Sequence, residues 1–396
     1  MHKAHQTESP AVATGASAWH GLPFLAGLTL SAGALRFLPA PFVWIGWGWS
    51  ITLLASAWKS SSGRVRAVFF NVAVLTILLA GVETYLAIHQ PVRKTFSDGY
   101  MLEDDVLGTV PARGIVGQST EYEHGQLAYD VKYTIDSNGL RVVPPPKVAA
   151  PASSVLFFGC SFTFGEGLQD DQTVPYSVGE QSGGRYAIYN FSFHGYGPNQ
   201  MLAAIESGRV RHTVLTPPRY IIYTALPDHI ARVAGKVPYG KHSPRYRLQP
   251  DGSVQLAGHF DDEAIQHSRL RASLLGNLRK SAIYRWIENL RPATNDSDLQ
   301  LYLAVVRQSR DRLKGEYPGA EFHILLWRNP LYEQKTYEEL RAEFSRMNIP
   351  TDLVENILPG YHSNPQQYWI TPEDAHPNAM ANRLIAQYVV TRILSR

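Results

Sequence analysis

The chemistry on offer in this sequence begins with a serine in "VLFFGCSFTFGEG", residues 155–167, where an apolar run breaks at Gly159-Cys160-Ser161 and the following residues are too glycine-rich to continue a strand. A hydroxyl becomes a nucleophile only when a base takes its proton, the base is held in orientation and donors await the oxyanion that forms. Near the C-terminus, "TPEDAHPNAMANRLIAQYV" supplies Asp374 and His376, a carboxylate and an imidazole two residues apart, just ahead of a proline that favours the opening of a helix. Taken singly, each residue has a plainer role. Ser161 would cap a helix, His376 would serve as an N-cap, Asp374 would be a solvated turn acid, and Gly195 in "HGYGPN" would meet a backbone need. Cys160 reads as a small core residue, and as the sole cysteine it cannot form an intramolecular disulfide.

These residues need a frame that brings distant stretches together. The apolar runs "SVLFFG", "YAIYNFSF", "YIIYTAL" and "FHILLW" alternate with helix-like stretches such as "NQMLAAIESGRVR", "DLQLYLAVVRQSRDRL" and "NAMANRLIAQYVVTRIL". Strands alternating with helices favour a parallel sheet covered on both faces, so a three-layer α/β/α sandwich is expected. Ligands of such sheets bind beyond the carboxyl ends of the strands, and Ser161, Gly195 and Asp228 all follow apolar runs.

The blocks "GCSFTFGEG", "YNFSFHGYGPNQ" and "DAHPN", in that order and approximate spacing, resemble the SGNH, or GDSL-type, hydrolases over residues 155–396. "LGTVP" and "YTIDSNGLR" resemble the lead-in of membrane-attached bacterial members. The resemblance implies a flavodoxin-like sandwich, Ser161 as nucleophile, His376 as base and Asp374 as its orienter, with no cofactor. It also implies an oxyanion hole at the amides of Ser161 and Gly195. Three departures stand out. Cys160 occupies the usual aspartate position of the first block, Pro227 stands where the third block carries asparagine, and Glu373 fills the usual acid position three residues before the histidine. Asn199 or His229 would then replace the missing donor, and Glu373 is the alternative acid. The Gly-x-Ser-x-Gly elbow of α/β-hydrolases fits less well, because Thr163 fills its last position.

Ahead of this domain lie three apolar stretches, "GLPFLAGLTLSAGALRFL", "PFVWIGWGWSITLLASAW" and "AVFFNVAVLTILLAGVETYLAI", each near the roughly 20 residues that cross a bilayer as a helix. Arg36 and Glu83 interrupt the first and third. Anchoring is preferred to a cleaved signal peptide, since two further apolar segments follow the first. Lys59, Arg64 and Arg66 in the second connection favour its cytoplasmic placement, which puts the chain after Ile88 outside. Trp44, Trp47, Trp49 and Trp58 suit the interfaces. The expected division is a cytoplasmic tail at 1–18, three transmembrane helices at 19–89, an extracytoplasmic β-containing neck at 90–153 and the catalytic domain at 154–396. That domain carries an insertion at about 229–298. Within the insertion, Asp251-Gly252 marks a hairpin turn, and "SRLRASLLGNLRKSAIYRWIENL" reads as a basic amphipathic helix or helix pair whose charges form a solvated face.

A net charge of +3 and the lack of a basic run with interleaved aromatics exclude nucleic acid as a partner, and the histidines have no metal-ligand spacing. The spans hold few polar residues suited to a transport pathway. The sequence thus points to a bacterial inner-membrane esterase facing the periplasm and acting on acylated carbohydrate, with lipid esters also open and polysaccharide assembly proteins as partners. Its rivals are an O-acyltransferase of exopolysaccharide modification and a catalytically silent glycan-binding or scaffold protein.

Overall fold

Alternation of polar and apolar residues builds the part of the chain that follows residue 91. Strands β1 (Val92–Phe96), β2 (Met101–Asp104), β3 (Gly108–Pro111), β4 (Val116–Glu123) and β5 (Gln126–Thr134) pair antiparallel, as a three-stranded sheet β1-β4-β5 and a ribbon β2-β3. In β5 the side chains of Tyr129, Val131 and Tyr133 share one buried face, continued by Ile135. This structure, a computed structural model, describes residues 18–38, 40–89, 92–148, 151–262, 276–278, 280–289, 294–328 and 334–395. The expected tail at 1–18 lies outside the described residues except for Ala18, and so does the insertion at 263–275 and 290–293. The chain divides into two units, Met1–Gln90 with Arg269–Glu288, and Pro91–Ser268 with Asn289–Arg396.

In the larger unit, β6 (Ser154–Phe158) is buried at all five positions, the signature of a strand covered on both faces. It leads to β7 (Ala187–Asn190) and then β8 (Pro218–Ala225). A hairpin follows, β9 (Pro244–Leu248) and β10 (Val254–His259), with Gly252 at φ +81° in its turn. β11 (Glu321–Leu326) and β12 (Thr351–Leu353) complete a parallel sheet in the order β7-β6-β8-β11-β12. That is the doubly wound order in which the chain reverses direction of travel beside the first strand. Four of these strands coincide with the apolar runs of the sequence. β12 has three half-buried residues and no such run.

The side chains of β6 alternate between two cores. Leu156 and Phe158 join Ile221, Tyr223, Ile324 and Leu326 under helices Pro198–Glu206 and Asp296–Glu316. Val155 and Phe157 join Tyr220, Ile222 and Leu325 under helices Val174–Gln181 and Ala379–Tyr388. The result is the expected α/β/α layering. Each fully buried large apolar side chain contributes roughly 1.5–3 kcal/mol relative to exposure. The neck adds Tyr100, Leu107, Tyr129, Val131, Tyr133 and Ile135 to the first of these cores, so neck and sheet share one hydrophobic cluster.

The smaller unit holds helices Ala18–Phe37, Pro41–Lys59 and Gly63–Ile88 where three spans are expected. Among the described residues, Gly63–Ile88 alone is long and apolar enough to cross a membrane by length and composition. Small residues bring the helices close: a Cβ on Gly46 would lie 2.8 Å from that of Ala80, and Ser50 Oγ donates to Thr76 Oγ1 at 3.1 Å.

Candidate active site

At the carboxyl end of β6 the backbone has no room for a side chain, since a Cβ on Gly159 would come within 2.4 Å of Thr163 Oγ1. Cys160 stays extended, and the short helix Ser161–Phe164 begins at the serine. Ser161 therefore stands between the loops that follow β7 and β8, at the switch point of the sheet. Cys160 is fully buried in the core beside it.

His376 reaches this point from a loop closed by the Trp369–Pro377 bridge. Pro377 does not open the following helix. Asn378 caps it, accepting from Ala381 N at 3.0 Å, and Ala379 is its first residue. His376 Nε2 lies 2.8 Å from Ser161 Oγ, while His376 Nδ1 is hydrogen-bonded to Asp374 Oδ1. Asp374 is held by its own backbone, which donates to Thr371 Oγ1 at 3.0 Å, and its Oδ1 also accepts from His376 N at 3.0 Å. A neutral ring that donates from Nδ1 to the carboxylate leaves Nε2 to accept the serine proton. Burial favours the neutral ring, but the Asp374 and Glu166 carboxylates outweigh it and hold the His376 pKa above its usual range.

Glu373, the alternative acid, points elsewhere: it is half exposed and lies 3.5 Å from His124 Nε2. Gly195, at φ +72°, lines the same cavity as Ser161 and His376. Neither expected substitute donor does. Asn199 is buried with its amide nitrogen donating to Pro244 O at 3.0 Å, and His229 is buried with Nδ1 2.7 Å from Tyr223 OH. Each stands second in its helix and is buried there on partners outside the cavity. Asp228 does line the cavity, as does Arg232 one turn further on. Arg232 donates from Nη1 to Tyr196 O at 2.6 Å and from Nε to Tyr239 OH at 3.2 Å.

The cavity, about 540 Å³, draws its walls from three parts of the chain: Phe96, Met101 and Leu107 of the neck, Tyr239 and Ser243 of the insertion, and the sheet loops. A charged cluster unforeseen from the sequence lies at its base. Lys94 of β1 pairs with Glu121 at 2.9 Å and with Glu166, and stands 3.9 Å from Asp374. Glu166 also accepts from His194 Nδ1, and His194 Nε2 lies 3.0 Å from Tyr100 OH. Burial opposes ionisation of Glu166, yet His194, His376 and Lys94 hold its pKa well below the carboxylate range. Burial keeps His194 neutral against the pull of Glu166, so its Nε2 accepts the Tyr100 proton. Glu166 and His194 sit inside the two blocks that carry the resemblance. Lys94 lies in "PVRKTF", which has no chemical signature of its own.

No protein-family model and no curated protein matches the chain. Among solved structures, the chain is loosely similar to a protein described as lipolytic and of the G-D-S-L family from Desulfitobacterium hafniense DCB-2, at 13% identity, 60% of this chain, 98% of that one and a TM-score of 0.34. An acetyl xylan esterase from the rumen bacterium Butyrivibrio proteoclasticus matches at 11% identity over 63% of this chain and 64% of its own, with a TM-score of 0.34. A family two carbohydrate esterase from Cellvibrio japonicus matches at 11% identity over 77% and 98%, with a TM-score of 0.33.

Proposed function

We propose that this chain is a membrane-anchored serine esterase of SGNH type that removes O-acyl groups, acetyl foremost, from an envelope or secreted polysaccharide. The observation that carries the reading is the line of Ser161 Oγ, His376 Nε2 at 2.8 Å and Asp374 on the other ring nitrogen, open to the cavity. Ser161 Oγ attacks the ester carbonyl while its proton passes to His376 Nε2. The carbonyl oxygen becomes an oxyanion, held by the amides of Ser161 and Gly195. As the tetrahedral intermediate collapses, the C–O bond to the leaving alcohol breaks and His376 returns the proton to that alcohol. Water, deprotonated by the same ring, then attacks the acyl-serine and releases the acid. A sugar hydroxyl in place of that water would give transfer by the same steps.

The aromatic walls formed by Phe96, Phe162, Tyr196 and Tyr239 suit the apolar faces of sugar rings. Helix Gly63–Ile88 supports the anchor, and the basic second connection supports a site outside the membrane. The test is labelling of the detergent-solubilised protein with a fluorophosphonate. Label is expected on Ser161, and loss of both label and ester turnover, by roughly 10⁴-fold or more, in Ser161→Ala and His376→Ala. Label on another residue, or turnover that survives Ser161→Ala, overturns the reading. Supplying an acyl donor with a glycan acceptor and comparing acyl glycan with free acid separates hydrolysis from transfer.

A further inference from the structure

Glu83 is the one acidic residue of the helix most suited to a membrane, yet it is buried, at 3% exposure. An ionisable side chain in such a helix calls for a partner. Its partner comes from almost 200 residues further along the chain and within the same unit. Glu83 Oε2 accepts from Ser281 Oγ at 2.8 Å and from Ile283 N at 3.0 Å, and Oε1 accepts from Ala282 N at 2.6 Å. The carboxylate thus occupies the free amides at the start of helix Ala282–Asn289, where negative charge is favoured. A second tie lies beside it, from Lys280 Nζ to Leu35 O at 2.7 Å.

Leu35 and Glu83 sit at the same end of their bundle. Gly46 packs on Ala80 and Ser50 on Thr76, so helices Pro41–Lys59 and Gly63–Ile88 run antiparallel, and the carboxyl ends of the first and third helices fall together. It is the end from which the chain leaves for the catalytic unit. The docked helix carries Trp286 and Ile287 at 53% and 52% exposure, preceded by Leu278 at 41%. Its seat, helix Gly63–Ile88, exposes Leu79, Val82 and Tyr85 over the same turns as Glu83. Tryptophan beside an aliphatic residue at the end of an apolar span is the composition of an interfacial anchor.

We infer that helix Ala282–Asn289 is a second membrane contact, seated in the outer headgroup region of the bilayer with Trp286 and Ile287 directed to lipid and Glu83 as its cap. This rests on the anchoring part of the proposed function and is independent of the serine chemistry. Committing to lipid rather than a protein partner follows from continuity with the exposed apolar surface of the spanning helix.

The test uses the full chain reconstituted in phosphatidylcholine vesicles, with Ile287→Cys labelled by a fluorophore. Cys160, the sole native cysteine, is buried. Leu256→Cys, exposed on the β10 hairpin, is the aqueous control. A nitroxide-bearing lipid should quench the label at 287 severalfold more than at 256, and dissolved iodide should show the opposite order. Adding Glu83→Ala should move the 287 label toward the behaviour of 256. Protein that floats with the vesicles while its 287 label is reached by iodide, or by neither quencher, overturns this inference alone. Protein that fails to float overturns the anchor and this inference together.

Discussion

At Gly195 the requirement is for a backbone that a side chain would spoil. Its φ of +72° is a region that alanine enters at a cost of about 1 kcal/mol, and an added Cβ would sit 3.3 Å from the Tyr239 ring. On the proposed mechanism, Gly195→Ala is expected to lower kcat, with KM little changed, because the displaced amide would serve the oxyanion rather than the bound ester; steady-state kinetics on an activated ester would check it. Glu166 acts on the same chemistry through charge. It raises the His376 pKa, and the ring must be neutral to accept the serine proton, so activity should climb with pH through that raised value. Glu166→Gln removes a negative charge from beside the ring, and the acid limb of the pH–kcat/KM profile should move to lower pH. A limb that stays in place would contradict this coupling. Stability should follow the opposite carboxylate logic. The depressed pKa of Glu166 contributes stability above its unfolded value, lost as pH falls through its folded value, so the Gln variant should be weakened near neutrality and match the parent in acid. That Ser161, His376 and Gly195 would meet at one cavity was legible because they fall in short, ordered blocks. That Asn199 and His229 lie away from the cavity was not legible, because donor chemistry says nothing of which partner a side chain will find, here Pro244 O and Tyr223 OH, and Lys94 escaped notice because only folding brings it to Asp374.

Elements hold these residues by contacts that cross from neck to sheet. Arg141, which lies in the neck beyond β5 and is 2% exposed, donates to Phe164 O at 2.7 Å, Gly165 O at 2.6 Å and Leu168 O at 2.6 Å, and pairs with Asp170 at 3.0 Å. One guanidinium thus satisfies the carbonyls of the turn that follows Ser161, a geometry that the fork of arginine supplies and a lysine ammonium does not. Arg141→Ala would strand those carbonyls and the Asp170 carboxylate, at a cost of about 3 kcal/mol or more, read as a lowered urea midpoint; Arg141→Lys should recover only part of it. If the Ala variant keeps the parental midpoint, the neck is not a structural part of the site. The alternation in "AYDVKYTID" announced the buried face of β5 from sequence, since a period of two survives any tertiary setting. That this face would enter the core of the sheet was not legible, because alternation gives a buried side without naming what covers it. β12 was invisible for the same kind of reason: three residues carry too little pattern, and pairing to β11 makes the strand.

For the whole molecule, the decisive asymmetry is electrical. The connection between the second and third helices carries Lys59, Arg64 and Arg66, whereas the first connection has Arg36 alone, and an excess of cations stays cytoplasmic when short loops are sorted. On the proposed membrane anchor, the antiparallel pairing of these helices would set the two ends of Gly63–Ile88 on opposite sides and the chain after Ile88 outside. Because Cys160 is buried and has no companion, single cysteines can report the arrangement without background. Ser61→Cys, in the basic connection, should react with a membrane-impermeant maleimide only after the cells are opened. Leu256→Cys should react in cells whose outer barrier alone has been made leaky, with the cytoplasmic membrane intact. The reverse pattern would put Ser161 on the cytoplasmic side, where no envelope polymer could reach it, and would remove the proposed substrate while leaving the serine chemistry standing. Equal labelling of both positions in intact cells would instead argue that the three helices do not form a closed barrier crossing, leaving Gly63–Ile88 to act as a surface-bound helix.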